Sequence, residues 1–359
     1  MGFAQLRFFN FRNLKDRELA LGAREVFLVG RNGQGKTNLL EAVHLLCIGS
    51  SFRENRDAAL VRDPTLAMGL SGRCTTAAGE TDFSLQIAPG GGRELRLNDR
   101  TVLHRRELFS EVLCVCFVQQ DMEFVTGTPE DKRRFFDQTL ILSDPSFLDT
   151  LRDYRLVLKS RNLCLKERRD DLLDVYDAQL AVIGLALQTR RAELVREFDA
   201  VFGPLFRQIT GSATGVSIRY RPSWEGLPTR DDVLAHLAAR RERDRLLGAT
   251  TSGPHRDTCL YVQNGKDFCH VASTGQLRLC ALVLRVAQAC FLTEQTKKLP
   301  VLLLDDVLLE LDPDRKRAFL SRFPPYEQAF FTFLPDEAWQ AYRTADTMVL
   351  SVEGGDFLA

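Results

Sequence analysis

Apolar and polar positions alternate from the first residues. Leu6, Phe8 and Asn10 fall on one side of an extended segment and Arg7, Phe9 and Phe11 on the other, which predicts a strand. Arg17–Leu21 is expected to return beside it as a hairpin. The continuous apolar run Val26-Phe27-Leu28-Val29 reads as a buried strand. It leads into a glycine-rich loop and then a helix from about Lys36 to Leu46, with Leu39, Leu40, Val43 and Leu46 on one face. Residues 66–117 carry short apolar segments broken by glycine clusters. They predict a β-rich stretch with a tight turn at Asn98-Asp99 and a strand at Val112–Val118.

Helical spacing dominates 130–202. Leu148, Leu151, Tyr154 and Leu158 recur along a first helix. Leu172, Val175, Leu180, Ile183, Leu187, Leu194 and Phe198 recur along a second, with Glu167–Asp171 as the turn. This fits an antiparallel hairpin of about 25 residues per arm, about 37 Å long at roughly 1.5 Å per residue. The spacing is not a clean heptad, so a coiled-coil arm and an ordinary helical subdomain both stay open. Further on, Asp231–Leu247 predicts a charged helix and Ser273–Gln276 opens another that runs to about Glu294. Val301–Leu304, Phe330–Phe333 and Met348–Val352 predict strands.

A length of 359 residues, 45% of them apolar, suits one large head with an inserted part, or two domains. The formal net charge is zero, so no overall basic character points to nucleic acid, which leaves room for a local basic surface. No run of about 18 apolar residues predicts a membrane span, and Met1–Asn10 does not read as a secretory signal. The nine cysteines form no Cys-x-x-Cys pair. A cytoplasmic protein with reduced, mostly buried thiols is expected.

Two segments carry chemistry. Gly30-Arg31-Asn32-Gly33-Gln34-Gly35-Lys36-Thr37 matches G-x-x-x-x-G-K-[ST] between an apolar strand and an amphipathic helix. Backbone N–H groups of such a loop turn around phosphate oxygens, Lys36 would reach the β- and γ-phosphates, and the Thr37 hydroxyl would ligate magnesium. The expected ligands are therefore ATP and Mg²⁺. Leu302-Leu303-Leu304-Asp305-Asp306 ends a buried strand in two acids, which is costly unless a cation is near. Asp305 would hold the magnesium and Asp306 would orient the attacking water, giving Lys36, Asp305 and Asp306 as the catalytic set.

Ser273-Thr274-Gly275-Gln276 is a capping box in its own right. It also lies one helix upstream of the acidic strand, where ABC-type ATPases carry S-G-G-Q, and it resembles that signature with Thr274 in place of the first glycine. A longer series then falls in order along the chain. It comprises Phe11-Arg12-Asn13, the loop continued as Asn38–Ala42, Ser51-Phe52-Arg53, Gly127-Thr128-Pro129 with Arg133-Arg134, Arg161-Asn162, Gly253–Asp257, and Leu303–Asp306 with Glu310–Asp312. This series resembles the RecF family.

The resemblance implies an α/β fold. An ABC-type ATPase head, with a mixed sheet and a β-rich subdomain, would be built from 1–120 and 250–359, and a helical arm would be inserted at 121–249. It implies an ATP-dependent homodimer with weak, DNA-stimulated ATP hydrolysis. The implied partners are double- and single-stranded DNA at gap junctions and RecR, RecO and, indirectly, RecA in DNA repair. Residue by residue, Arg12 and Gly30–Asn38 would hold the nucleotide. Ser273, Thr274, Gly275, Gln276 and Asp312 would meet it from a second subunit. Gln120, or its neighbour Gln119, would join Thr37 and Asp305 on the metal.

Thr332 falls where transporter ATPases carry histidine, which argues against a His-assisted step. Arg53, Arg56, Arg105, Arg106, Arg133 and Arg134, with Lys132, are candidate contacts to DNA phosphate, each also readable as a solvated surface charge. Gly253–Asp257 should be a rigid loop in which His255 and Arg256 either reach a phosphate or serve the loop itself. The competing readings are a transporter's energising subunit, a long-armed SMC protein and a non-catalytic scaffold. The first wants a switch histidine, the second far more helix, and the third has no need of both Asp305 and Asp306.

Overall fold

A computed structural model describes residues 2–54, 56–76, 79–308 and 313–358. Its contacts divide the chain into two compact units, Met1–Gln120 with Leu292–Ala359, and Asp121–Phe291. In chain order the first stretch supplies β1 (Gly2–Phe9), β2 (Arg17–Ala20), β3 (Glu25–Val29), α1 (Lys36–Ile48), β4 (Met68–Thr76), β5 (Gly79–Ala88), β6 (Gly92–Leu97), β7 (Arg100–Thr101), α2 (Arg106–Glu111) and β8 (Cys114–Phe117). Next come α3 (Glu123–Thr126), α4 (Pro129–Ser143), α5 (Phe147–Glu167), α6 (Asp170–Thr210), β9 (Ser217–Arg221), α7 (Arg230–Leu247), β10 (Thr258–Gln263), β11 (Lys266–Asp267), α8 (Phe268–Val271) and α9 (Thr274–Thr296). The chain ends with β12 (Val301–Leu304), α10 (Pro313–Leu320), β13 (Gln328–Phe333), β14 (Thr347–Glu353) and β15 (Asp356–Leu358).

The first unit holds two six-stranded sheets. One is antiparallel, in the order β2-β1-β4-β5-β6-β7, and its strands alternate buried and exposed residues because one face meets water. Its last hairpin turns through Asn98 and Asp99, both at positive φ, as the sequence predicts. The other runs β15-β14-β3-β13-β12-β8, all parallel except β15. Its inner strands β3, β12 and β13 are buried on both faces, which is why they read as unbroken apolar runs. The hairpin that adds β15 is absent from the sequence expectation. Its turn is Gly354-Gly355, with φ 54° and 79°.

The second unit differs from the expected arm in three ways. Residues 250–291, assigned above to the head, cluster here, because β10 pairs with β9 in a small sheet ordered β11-β10-β9. The hairpin helices are unequal, 21 residues in α5 and 41 in α6, with Arg168 in the left-handed region at the turn. At about 1.5 Å per residue, α6 is about 60 Å long.

The buried seam of α6 is only partly the one expected: Leu180, Leu187, Leu194 and Phe198 are buried, but Leu172 and Ile183 are half-buried and Val175 lies outward. Leu173, Asp177, Leu180, Gly184, Leu187, Arg191, Leu194 and Phe198 are buried at strict alternating steps of four and three. Every second seam position as far as Arg191 is polar or lacks a side chain, and each has its reason. Asp177 accepts a hydrogen bond from Arg161 of α5 at 2.6 Å. A Cβ at Gly184 would come within 2.5 Å of the buried Trp224 ring. Arg191 is gripped by Asp137 at 2.8 and 2.9 Å.

The fully buried Arg161 also donates to Asp244 of α7 at 2.7 Å, so one guanidinium ties three helices together. All nine cysteines are free thiols, most of them buried. Arg161→Met would leave the buried Asp244 carboxylate without its cation and Asp177 with Arg241 alone. It is expected to lower stability by about 3–5 kcal/mol, read as a lower midpoint in urea unfolding. An unshifted midpoint would mean that the cluster contributes nothing to holding the helices together.

Candidate functional site

The loop that follows β3 is shaped before any ligand is considered. Gly35 stands at φ 117°, a backbone conformation closed to side chains, and there it begins α1. That helix has no side-chain cap and no acid in its first turn, so its leading N–H groups stay open to an anion.

Three neighbours fix the loop from outside. Asn13 donates to the Gly33 carbonyl at 3.0 Å and accepts from Asn38 at 2.6 Å. The β14–β15 turn donates to Gln34 twice, from Gly354 to its side chain at 2.7 Å and from Gly355 to its carbonyl at 2.9 Å. A Cβ on Gly355 would lie 1.9 Å from the Asn13 carbonyl, so only glycine lets the two segments meet. Neither Asn13 nor the terminal hairpin was marked as part of the site by the sequence, although Gly-Gly between strand-like runs is a hairpin signal.

The loop encloses a cavity of about 190 Å³ whose lining includes Lys36, Thr37, Asn38, Arg53 and Asp306. Lys36 is buried, and its ammonium donates to the Gly30 carbonyl at 2.6 Å. Arg53, a candidate contact to DNA, lines this cavity and donates to Asn38 at 2.9 Å. Arg12, expected at the phosphates, makes a two-pronged bond to the fully buried Glu41 of α1, at 2.9 and 2.8 Å. Ser51 donates to the same carboxylate at 2.5 Å. Glu41 is thus the anchor that carries the Ser51–Arg53 segment to the loop, a role its place on an apolar helix face did not disclose.

The acids at the end of β12 meet the loop directly. The Thr37 hydroxyl donates to Asp305 at 2.9 Å. Burial pushes the Asp305 carboxyl up to about 6; the Thr37 bond opposes this and the charge of Asp306 adds to it. Such a carboxylate, beside a hydroxyl at a phosphate-type loop, is a donor set that suits a hard divalent cation. Gln119 and Gln120 follow β8, which pairs with β12 so that Phe117 lies opposite Leu304. Both glutamines are exposed just beyond that strand end.

Asp306 sits at φ 53°, a strained setting for a side chain other than glycine. It is held there by one residue of β13, the strand between β3 and β12. The buried Thr332 hydroxyl accepts from the Asp306 backbone N–H at 2.7 Å and donates to its carboxylate at 2.9 Å. The sequence flagged Thr332 only for what it replaces; it is the clamp on Asp306.

Ser273–Gln276 lies in the other unit. All four residues are exposed at the start of α9, and the capping box is formed. Ser273 N donates to the Gln276 side chain at 2.8 Å, and Gln276 N donates to the Ser273 hydroxyl at 3.4 Å. Glu310 and Asp312 lie outside the described residues.

His255 serves its own loop. One ring nitrogen meets the Thr250 carbonyl at 2.9 Å and must carry the proton, so the other accepts from the Tyr154 hydroxyl at 2.8 Å. Burial, reinforced by nearby arginines, drives its pKa down to about 4, so it is neutral.

The remaining basic candidates are mostly engaged. Arg133 donates to the Asp257 carbonyl, and Arg134 pairs with Glu123 at 2.9 Å and Asp131 at 3.1 Å. Lys132 reaches the Cys269 sulfur at 3.7 Å. Arg56 is paired with Glu54 at 3.6 Å, while Arg105 and Arg106 are exposed where α2 begins.

The family described as RecF/RecN/SMC N terminal domain matches residues 3–345. The DNA replication and repair protein RecF of Treponema pallidum (strain Nichols) is 40% identical over 96% of this chain and 98% of its own length. The chain belongs to the RecF family. The RecF protein of Anaeromyxobacter sp. (strain Fw109-5) is 35% identical, with 96% of each chain covered.

A solved recombination mediator protein RecF–ATP of the RecFOR pathway superposes with TM-score 0.89 at 27% identity, covering 100% of this chain and 98% of that one. An Smc head from Pyrococcus furiosus, bound to the C-terminal domain of ScpA, superposes with TM-score 0.56 at 15% identity and shares the fold alone. The RecF-family chain therefore has the ABC-type ATPase head fold expected from its motifs.

Thr332→Val keeps the shape of the side chain and removes both bonds to Asp306. It is expected to cost about 1–3 kcal/mol in thermal unfolding, whereas Thr332→Ser, which keeps the hydroxyl, should lie close to the unsubstituted protein. Equal melting of all three would show that Asp306 needs no clamp.

Proposed function

We propose that the chain is an ATP-dependent DNA-binding protein that dimerises around ATP, hydrolyses it slowly and acts in DNA repair at single-stranded gaps. The observation that carries this reading is the junction of Thr37, Asp305 and Asp306 at the mouth of the phosphate-type loop. ATP would lie with its phosphates against the leading N–H groups of α1 and the Lys36 ammonium. Magnesium would be held by Thr37 and Asp305 with Gln120 or Gln119, and would offset phosphate charge. Arg53 faces the same cavity and would contact the phosphates. Asp306, fixed by Thr332, would accept the proton of the water that attacks the γ-phosphate. A short carboxylate held back by Thr332 suits slow turnover.

The second half of the reading concerns Ser273–Gln276. Its exposed helix start has the N–H groups an anion wants, and we assign it to the γ-phosphate bound by a second copy of the chain. Two such sites would close a twofold dimer. Hydrolysis removes the γ-phosphate that both copies share, so the dimer would open and release DNA. Arg56, Arg105 and Arg106, all exposed, would be the head residues that meet DNA phosphate. The name of a solved relative puts that protein in the RecFOR pathway, and the partners assigned here are RecR and RecO and, through them, RecA.

Lys36→Met is expected to abolish ATP-driven dimerisation in sedimentation velocity. Asp306→Asn should keep the dimer in saturating MgATP while hydrolysis falls by about 10²–10⁴-fold. A monomeric Asp306→Asn chain under those conditions would defeat the scheme.

A further inference from the structure

The loop Gly253–Asp257 uses nearly every polar side chain it owns. The Pro254 carbonyl accepts from Arg191 at 2.7 Å, and both His255 nitrogens are bonded. The buried Asp257 carboxylate accepts from Arg191 at 3.1 Å, from the Ser223 backbone at 2.7 Å and from the Tyr220 hydroxyl. Arg256 is what remains. Its side chain is exposed and has no hydrogen bond or ion pair among the described residues.

The bonds from Tyr220 and Ser223 also fix the end of β9 to this loop. Along β9, Ile218 is buried and Tyr220 half-buried, while Ser217, Arg219 and Arg221 are exposed. The register sets Arg221 opposite Thr258, Arg219 opposite Leu260 and Ser217 opposite Val262, and directly opposed residues of an antiparallel pair share a face. The outward face of β9 and β10 therefore carries two arginines and two hydroxyls around a half-buried apolar pair, and no carboxylate. Arg219 and Arg221, like Arg256, have no side-chain partner among the described residues. The nearest acid in the sheet, Asp267 opposite Val262 on β11, is occupied in capping α8.

We propose that Arg219, Arg221 and Arg256 form a contact surface for the phosphate backbone of duplex DNA, on the unit that does not hold the phosphate-type loop. The assignment rests on the DNA-binding reading above. Unpaired arginines on a rigid sheet and a locked loop are pre-organised donors, and hydroxyls such as Ser217 and Thr258 are the usual companions of phosphate contacts. The face has no aromatic ring on which a single-stranded base would stack, which selects the duplex backbone. It also lacks the buried aromatic anchors on which a protein partner's affinity depends.

The test is fluorescence anisotropy of the full chain with MgATP and a labelled 30-base-pair duplex (about three turns at 3.4 Å per pair) across a salt series. The triple Arg219→Ala, Arg221→Ala, Arg256→Ala chain should bind more weakly. Its log–log salt slope should be shallower by about 0.9 for each phosphate that the three arginines neutralise, while ATP hydrolysis without DNA is unchanged. The matching triple lysine variant should recover most of the slope and shows that folding is intact. Duplex affinity and slope equal to the unsubstituted chain would overturn the face alone. A loss confined to single-stranded DNA would overturn the choice of duplex, and failure of the unsubstituted chain to bind any duplex would overturn the underlying reading as well.

Discussion

A half-buried carboxylate at the end of an apolar strand constrains everything around it. Asp305 is carried there by β12, whose four residues are buried on both faces, so it cannot turn to solvent without unmaking the central sheet. Its raised pKa expresses the cost of that position. The surroundings offset the cost with a hydroxyl from the loop helix and with the approach of Arg53. The same demand explains the neighbouring arrangement. β3 and β12 are separated only by β13, so Thr37 and Asp305 meet over the end of β13, and Thr332 at that end holds Asp306. A metal between phosphate and carboxylate completes the set that the sheet order brings together.

Features encoded locally were legible in the sequence. The apolar run of β3, the glycine pattern after it and the acid pair after β12 each need only neighbouring residues to be read, and all three lie where the pattern put them. Features that depend on distant partners were not. The α6 seam is a regular heptad hidden because Asp177, Gly184 and Arg191 stand where apolar residues are looked for. Each is explained only by a residue far away in sequence: Arg161, Trp224 and Asp137. The expected domain bounds differ from the two compact units for the same reason, since β9 has no strong strand pattern of its own and is defined by β10. Thr332 and Glu41 look ordinary in sequence and gain their roles from a strand order and a helix face.

The motifs that attracted attention divide by whether their polar groups are spent. In Gly253–Asp257, His255 and Asp257 are consumed by the fold, and this makes the unspent Arg256 informative. Ser273–Gln276 is a finished capping box in which each of the two side chains accepts from the other residue's backbone N–H, while its residues stay exposed at the helix start. Satisfaction within the chain and availability to a second copy are compatible there, because the box uses the N–H groups of Ser273 and Gln276 and not those of Thr274 and Gly275, which would meet the phosphate.

The claim that a nucleotide is shared between two copies is tested most directly by mixing two inactive chains, one carrying Lys36→Met and the other Ser273→Arg. If the sites are composite, only mixed dimers hold an intact site, one of the two in each. Hydrolysis should then return to a substantial fraction of the unsubstituted rate, at most about one half. A mixture no more active than either variant alone would contradict the account.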